Sequence, residues 1–534
     1  MTGGVAYVHA LRLPGMVHAR VLRPPSPAAR LVGFDAASVQ KMPGVAKIVR
    51  DGSFVAVIAK REYQAVAALK SLEAAAKWTQ QESLPPPERL YESVLAAPAQ
   101  DTVILDRGIA TASGRQLSAQ YVRPYQLHAS IGPSCAVAQF KDGRYTVWTH
   151  SQGVFPLRKA LAQLLGVEES TIRCVHAEGS GCYGHNAADD VAADAALLAH
   201  QMPGVPVRVQ WMREDEHMWE PFGPPMVTRA QATLGPDGTV AAWQYDVWSA
   251  THNARPGAAG DLLAGRHIEK AFEPTPPKPI PQPEGGGDRN AVPLYSFPQA
   301  RVTHHFLAGE NAIRTSALRS LGAYMNVFSI ESFVDELARA AGSDPVQFRL
   351  RQLADPRALD VIRLAASKFG WDSFRRRAGI GRGFAFARYK NLAAYCAMAC
   401  EVQVLRDTGE VRLLRVVAAV DSGEIVNPGG IRNQIEGGIV QATSWTLSEE
   451  AAFDRTRVLT RDWGGYPILR FPQVPLAIDV HIVPRPGQPF LGTGEAAQGP
   501  AAAMIANGIA DATGVRMRRI PFSRRRVRES HAAV

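Results

Sequence analysis

Residues 171–212 read TIRCVHAEGSGCYGHNAADDVAADAALLAHQMPGVPVRVQWM, and the order of patterns within them sets the fold class. TIRCVHAE and VPVRVQW read as short strands, while AADDVAADAALLAHQM carries apolar residues at helical spacing. A strand, a glycine-rich turn, a helix and a strand in succession build layered α/β structure. The turn Gly179-Ser180-Gly181-Cys182-Tyr183-Gly184 is a literal G-x-G-x-x-G, placed where a dinucleotide-binding loop would lie. Two features oppose that reading. The ribose-binding acid expected about 20 residues further on is missing from PGVPVRVQWM. Asp189 and Asp190, in the first turn of the helix, suit its macrodipole by themselves but would repel a pyrophosphate held there. The glycines still let this backbone approach a ligand or another stretch of chain closely.

Outward from this unit the alternation continues. VAKIV and SFVAVIA read as strands joined at Asp51-Gly52, followed by the amphipathic helix EYQAVAALKSLEAAAKW. QQESLPPPERL reads as a linker. SAQYV, CAVAQF and YTVWTH are strand-like, PLRKALAQLLG is a helix closed by Gly166, and VTRAQATLGPDGTVAAWQYDVWSA is a hairpin turning at residues 235–238. Residues 253–294 are rich in Pro and Gly without periodicity, as functional or mobile excursions are. Beyond them, NVFSIESFVDELARAAG is a helix with Gly342 past its end, and Asp344-Pro345 starts another. EVRLLRVVAAV is a strand and IRNQIEGGIVQATSWTLSEE a long helix. GPAAAMIANGIADATG is the last helix, with Pro500 suited to its first position and Gly514 to its cap. The class is mixed α/β, or α+β. A small α/β domain over 1–80 and a linker over 81–114 precede a body over 115–252, the excursion over 253–294 and a second half over 295–534.

Composition bounds the function. The chain has 534 residues, 46% hydrophobic and 20% charged, too apolar for disorder. No run reaches the roughly 18 apolar residues that span a bilayer, which excludes an integral membrane protein, and MTGGVAYVHALRLPG carries no signal-peptide pattern. None of the five cysteines forms C-x-x-C, so an iron–sulfur cluster is not expected within this chain. Cys396 and Cys400, four apart, read as buried strand residues on one face rather than half a metal site. The net charge of +10 owes much to Arg516, Arg518, Arg519, Arg524, Arg525, Arg526 and Arg528. Without interleaved aromatics or a reading module this tail does not point to nucleic acid; it reads as a solvated terminus or a partner-docking tail.

Three residues stand out chemically. Glu495, in Phe490-Leu491-Gly492-Thr493-Gly494-Glu495, is an acid among glycines before an Ala-rich helix. An apolar pocket there would raise its pKa towards that of a useful base, whereas the plainer reading is an acid at a helix start. Arg319 precedes a glycine turn and a long helix, suited to an anion or a surface ion pair. Gln152 lies at a strand-to-helix junction, where a capping or solvent-facing glutamine is ordinary.

Taken in order, these segments resemble the molybdopterin-binding large subunit of the xanthine dehydrogenase and aldehyde oxidase family. The branch with isoquinoline 1-oxidoreductase and nicotinate dehydrogenase is nearest. LRLPGMVHARVLRPP and MPGVAKIVRDGSFVAVIA resemble its small hammerhead α/β domain. SQGVFPLRKALAQLLG with GSGCYGHNAADDVAADAALLA resembles the first part of the large molybdopterin-binding region. RNAVPLYSFP, RTSALRSLGAYMNVFSIESFVDELA, DPVQFRLRQL, NPGGIRNQIEGGIVQATSWTLSEE and GTGEAAQGPAAAMIANGIADATG resemble the second. The resemblance implies Glu495 as catalytic base and Gln152 beside the apical molybdenum oxygen. It implies Gly181, Cys182, Tyr183 and Gly184 as the loop next to the metal, and Arg319 and Gly322 in the central motif. Tyr183 and Arg319 would also face substrate. No protein side chain ligates molybdenum, which a pterin dithiolene holds, in a cytosine dinucleotide form in this branch. The implied reaction is hydroxylation of an aldehyde or N-heterocycle with water as the oxygen source. Electrons would leave through a small [2Fe–2S] subunit to a cytochrome or flavoprotein.

The sequence departs from the pattern in two places. Ala187, four past Tyr183, stands where purine-oxidising relatives carry Glu, which disfavours a xanthine-like substrate. The branch's M-G-Q-G motif is not found, and the chain starts at about the hammerhead domain. The expectations are a separate polypeptide supplying that cofactor wall, a start further upstream, or a truncated, non-catalytic remnant. The compartment stays open.

Overall fold

The strand Ile172–His176, at one end of the quoted stretch, is the edge of a seven-stranded sheet in the computed structural model. The structure describes residues 7–109, 113–309 and 313–532. From that edge the sheet runs through Arg144–Thr149, Cys135–Lys141, Val207–Gln210, Val17–Leu22, Phe54–Ala59 and Val45–Asp51. Side chains of Phe54–Ala59 alternate as the pleat requires. Phe54, Ala56 and Ile58 enter a core shared with helices Val154–Leu165 and Ala188–His200, while Val55 and Val57 face helix Glu62–Ala75. The sheet crosses the boundary expected at residue 80, because Val17–Leu22 pairs in parallel with Val207–Gln210.

A five-stranded sheet is ordered Ala99–Asp106, Gln299–Leu307, Val240–Ser249, Met226–Leu234, Arg115–Arg123. Its centre is the expected hairpin. The stretch read as a linker instead carries helix Leu90–Ala96 and the edge strand Ala99–Asp106. An edge strand exposed along most of its length has no apolar alternation to betray it. Helix Ala323–Ala340 covers one face of this sheet, with Phe328 edge-on to Tyr121 at 5.4 Å and the Tyr245 hydroxyl donating to Asn326 Oδ1 at 3.0 Å.

The third sheet, Ile380–Arg388, Tyr395–Leu405, Glu410–Asp421 and Ile478–Ile482, carries the last helix, Gln498–Thr513. Contact is backbone to backbone: a Cβ on Gly383 would stand 1.8 Å from the Met504 carbonyl oxygen, and one on Gly381 2.3 Å from that of Gly508. Cys396 and Cys400 are fully buried on one face of their strand, and burial pushes both thiols up to about 12. The last helix starts at Gln498, so Pro500 lies two residues inside it rather than first. Its missing N–H costs nothing there, being among the four that have no partner in the helix. Gly514 caps the other end in the left-handed region.

The arginine-rich end is not a solvated tail. Arg516 pairs with Asp335 at 2.7 Å, Arg518 with Glu336 at 2.8 Å, Arg526 with Glu450 at 2.7 Å and Arg524 with Glu410 at 3.2 Å. Val527 is buried on the closing helix Arg524–Ala532. These acids lie far away in sequence, so a run of arginines that reads as unbalanced is partly paired by the fold, while Arg524 and Arg525 stay exposed.

Candidate active site

The glycine loop and residues 315–319 run side by side. His185 N–H donates to the Ala317 oxygen at 2.7 Å, and Arg319 N–H to the Tyr183 oxygen at 2.8 Å. A Cβ on Gly184, at φ +129°, would stand 2.0 Å from the Ala317 oxygen. This glycine of the apparent dinucleotide fingerprint therefore serves a close approach of the chain to itself. Tyr183, at φ 61°, turns the loop, and the Cys182 thiol meets the Gly184 oxygen at 3.1 Å, with its pKa pushed up by burial.

The pairing delivers Arg319 to the loop that carries Glu495. Arg319 Nε donates to the Gly494 oxygen at 2.7 Å, Nη1 to Gln441 Oε1 at 3.1 Å and Nη2 to Gln434 Oε1 at 2.9 Å. Among the described residues its hydrogen-bond partners are neutral, so it is not held in a surface ion pair. Burial lowers its pKa, against the raising influence of the Glu495 charge. Ser320 and Leu321 follow with φ of 75° and 49°. Non-glycine residues held there cost about 1–3 kcal/mol each, and such strain concentrates at functional sites. At Ser320 the N–H meets Glu495 Oε1 at 2.8 Å, and the hydroxyl donates to the Glu495 carbonyl at 2.8 Å. Glu495 Oε2 accepts the Tyr389 hydroxyl at 2.7 Å, and Tyr389 in turn accepts Arg289 Nη1 at 2.6 Å. Burial and then the Glu495 charge hold the Tyr389 phenol well above its ordinary range, so it stays a neutral donor. The apolar pocket expected around Glu495 is not what surrounds it: the carboxylate is half-buried, with a donor on each oxygen. Ser320, Tyr389 and Arg289 carry no motif, and only the glycines and prolines of the excursion hinted that Arg289 mattered.

The other candidates sit around this centre. Gly322 packs against the excursion: its N–H donates to the Gly286 oxygen at 3.1 Å, and a Cβ would stand 2.2 Å from the Gly287 oxygen. Gly181 lies under the Tyr183 ring, 2.9 Å from where its Cβ would be. Gln152 is exposed ahead of helix Val154–Leu165 and accepts Arg255 Nη2 at 2.6 Å; among the described residues no hydrogen bond joins it to Arg319 or Glu495. A buried chain ties the loops together. Ser151 donates to Asp189, His185 Nε2 lies 2.9 Å from the other Asp189 oxygen, and His185 Nδ1 lies 2.9 Å from the Ser316 hydroxyl, which accepts the Ala254 N–H at 3.1 Å. Asp190 pairs with Arg314 at 2.8 Å. The two acids at the helix start are thus structural cross-links as well as partners of the dipole.

Beside Arg319, helix Pro428–Leu447 presents Gln434, Gly437 and Gln441 at spacings that keep them on one face. A Cβ on Gly437 or on Gly492 would meet nothing within 4 Å. Amides, a guanidinium and open space next to glycines suit a flat, heteroatom-rich ring system, so these residues fit a pterin.

Two models described as a molybdopterin cofactor-binding domain match residues 92–270 and 320–475. The chain is 42% identical to a nicotinate dehydrogenase subunit of Pseudomonas putida over 99% of its own length and 45% of the relative's. It is 28% identical to the beta subunit of isoquinoline 1-oxidoreductase from Brevundimonas diminuta over 74% of its length and 48% of the relative's. The chain thus spans about half the length of these curated relatives. Among solved structures, quinoline 2-oxidoreductase from Pseudomonas putida 86 superposes with a TM-score of 0.82 at 16% identity, over 99% of this chain and 96% of that one. The aldehyde oxidoreductase from Desulfovibrio gigas gives 0.78 at 18%, over 99% and 79%. At such identities the likeness is one of fold.

Proposed function

The chain belongs to the xanthine dehydrogenase family of molybdopterin-binding large subunits, and on that premise we propose that it is the hydroxylating part of a multi-subunit oxidoreductase. The substrate is an aldehyde or N-heterocycle and water is the oxygen source. The observation that carries this reading is the carboxylate of Glu495, fixed between the Ser320 N–H and the Tyr389 hydroxyl beside Arg319.

The pterin, in its cytosine dinucleotide form, would be held by Gln434, Gln441, Arg319 and the Gly181–Gly184 loop, with Gly322 behind them, and Gln152 would be a further contact to the group. When bound, the group supplies two-electron redox chemistry. Glu495 takes the proton of the attacking water-derived oxygen on a carboxylate oxygen, each of which keeps a lone pair beyond its present hydrogen bond. Tyr389, backed by Arg289, holds the carboxylate's direction, and Ser320 fixes its depth. Tyr183 offers a flat face to an aromatic substrate. Ala187, fully buried, offers no charge to a purine. The electrons pass to a separate [2Fe–2S] subunit and on to a cytochrome or flavoprotein, and another stretch of polypeptide completes the cofactor wall.

The test is Glu495→Gln in the assembled enzyme. Loss of a general base costs about 10²–10⁴-fold in turnover, with molybdenum content unchanged. Near-normal turnover would remove Glu495 from the chemistry.

A further inference from the structure

Tyr389, the donor to Glu495 Oε2, is gripped by two adjacent residues of the excursion. Arg289 Nη1 meets its hydroxyl at 2.6 Å. Asn290 holds its backbone: Nδ2 donates to the Arg388 oxygen at 2.8 Å, and Oδ1 accepts the Lys390 N–H at 2.8 Å. One side-chain amide therefore bridges the residues before and after Tyr389. Asn391 closes the clamp, its Oδ1 accepting Asn290 Nδ2 at 3.4 Å and its Nδ2 donating to the Val292 oxygen at 2.9 Å. Asn326, fully buried on helix Ala323–Ala340, donates to the Gly287 and Arg289 oxygens, both at 2.8 Å. It thereby fixes the peptide that joins Arg289 to Asn290.

The clamp is built on a strained backbone. Asn290, Lys390 and Asn391 have φ of 62°, 56° and 57°, in the left-handed region. Asparagine tolerates that region better than most residues, and lysine does not. Such strain persists only where the surroundings over-determine it, and it clusters at functional sites. A turn that needed the conformation alone would be served by glycine, which adopts it freely. What asparagine adds at position 290 is its amide, and both halves of that amide are used on the two flanks of Tyr389. The same loop is tied to the stretch that carries Glu495, because the Ala394 N–H donates to the Gly492 oxygen at 3.2 Å.

We propose that Asn290 is a positioning residue of the reaction: its amide sets the backbone of Tyr389 so that the phenol, oriented by Arg289, points at Glu495. This rests on the functional reading above, in which Glu495 is the base. Asn290 acts through Tyr389 rather than on the carboxylate itself. A catalytic group is held to within about 0.5 Å only when the residues that orient it are themselves locked from behind.

The experiment is Asn290→Gly in the assembled enzyme. Glycine keeps the left-handed backbone without strain and removes only the amide. The expected result is a kcat lower by about tenfold or more, a KM within about twofold of the parent and an unchanged molybdenum content. In a Tyr389→Phe background the same substitution is expected to cost less than about twofold, since the hydroxyl it positions is gone. Deuterium uptake by the peptide spanning Tyr389 is expected to rise, because the Lys390 N–H loses its acceptor, and this readout needs no turnover. If Asn290→Gly does not fold, Asn290→Asp, which still accepts the Lys390 N–H but cannot donate to Arg388, is expected to lower kcat with the same dependence on Tyr389. An equal fall with and without the Tyr389 hydroxyl, or a parent-like kcat in Asn290→Gly, would overturn the proposal. With a parent-like kcat, Glu495→Gln tells the two failures apart: if it abolishes turnover, only the positioning role has failed, and if it leaves turnover near normal, the assignment of the base has failed too.

Discussion

Glu495 is held through neighbours drawn from three distant stretches: Ser320 and Tyr389 bond its carboxylate directly, and Arg289 backs Tyr389. Replacing Tyr389 by Phe removes the donor to Oε2 and leaves Arg289 without its acceptor. Turnover is expected to fall about tenfold or more, since the carboxylate loses the hydrogen bond that fixes its direction. Unchanged turnover would make Tyr389 a packing residue only. Glu495 and Arg319 were legible in the sequence because a charge among glycines or before a turn is unusual. Tyr389 and Ser320 were not legible: one follows a strand like any other tyrosine, and the other adopts a left-handed backbone without the glycine that normally announces it. Asp189 was legible as a helix-start acid, but its partners His185 and Ser151 become partners only when the glycine loop folds back.

The elements were legible where one face is buried and hidden where it is not. The helices at 154–165, 188–200, 323–340 and 428–447 and the hairpin at 226–249 follow from periodicity. The edge strand Ala99–Asp106 lacks periodicity, and the sheet shared by the first sixty residues with residues 135–210 has no local signature. Packing at this scale rests on glycine. Gly383→Ala would drive a methyl group into the Met504 carbonyl and push helix Gln498–Thr513, with Glu495 just ahead of it, off its sheet. A loss of about 1–3 kcal/mol is expected in denaturant unfolding, the usual size for overpacking. An unchanged midpoint would mean that the helix does not lie as described.

Across the whole molecule, the two halves meet around buried polar groups. Gln126, from the first half, donates to the Trp445 and Glu449 oxygens at 3.2 and 3.1 Å. Burial pushes the Glu449 carboxyl up to about 8. A folded-state pKa above the unfolded value of about 4.3 contributes stability that is present at low pH and lost as pH rises towards 8. Glu449→Gln should remove that loss, so the variant gains on the parent between about pH 5 and pH 8, by more than about 1.4 kcal/mol, the equivalent of one pKa unit. A constant difference across that range would place Glu449 in contact with water. The arginine-rich end belongs to this scale too, since its acids come from residues 335, 336, 410 and 450. The central claim is that these halves hold a molybdopterin against Glu495. Its most direct test is molybdenum per mole of chain, by elemental analysis of protein purified with its partners from the native host. Near-stoichiometric molybdenum with an iron-bearing partner is the predicted result. A folded chain with its partners and no molybdenum would contradict the account and leave Glu495 as a relic of the family's chemistry.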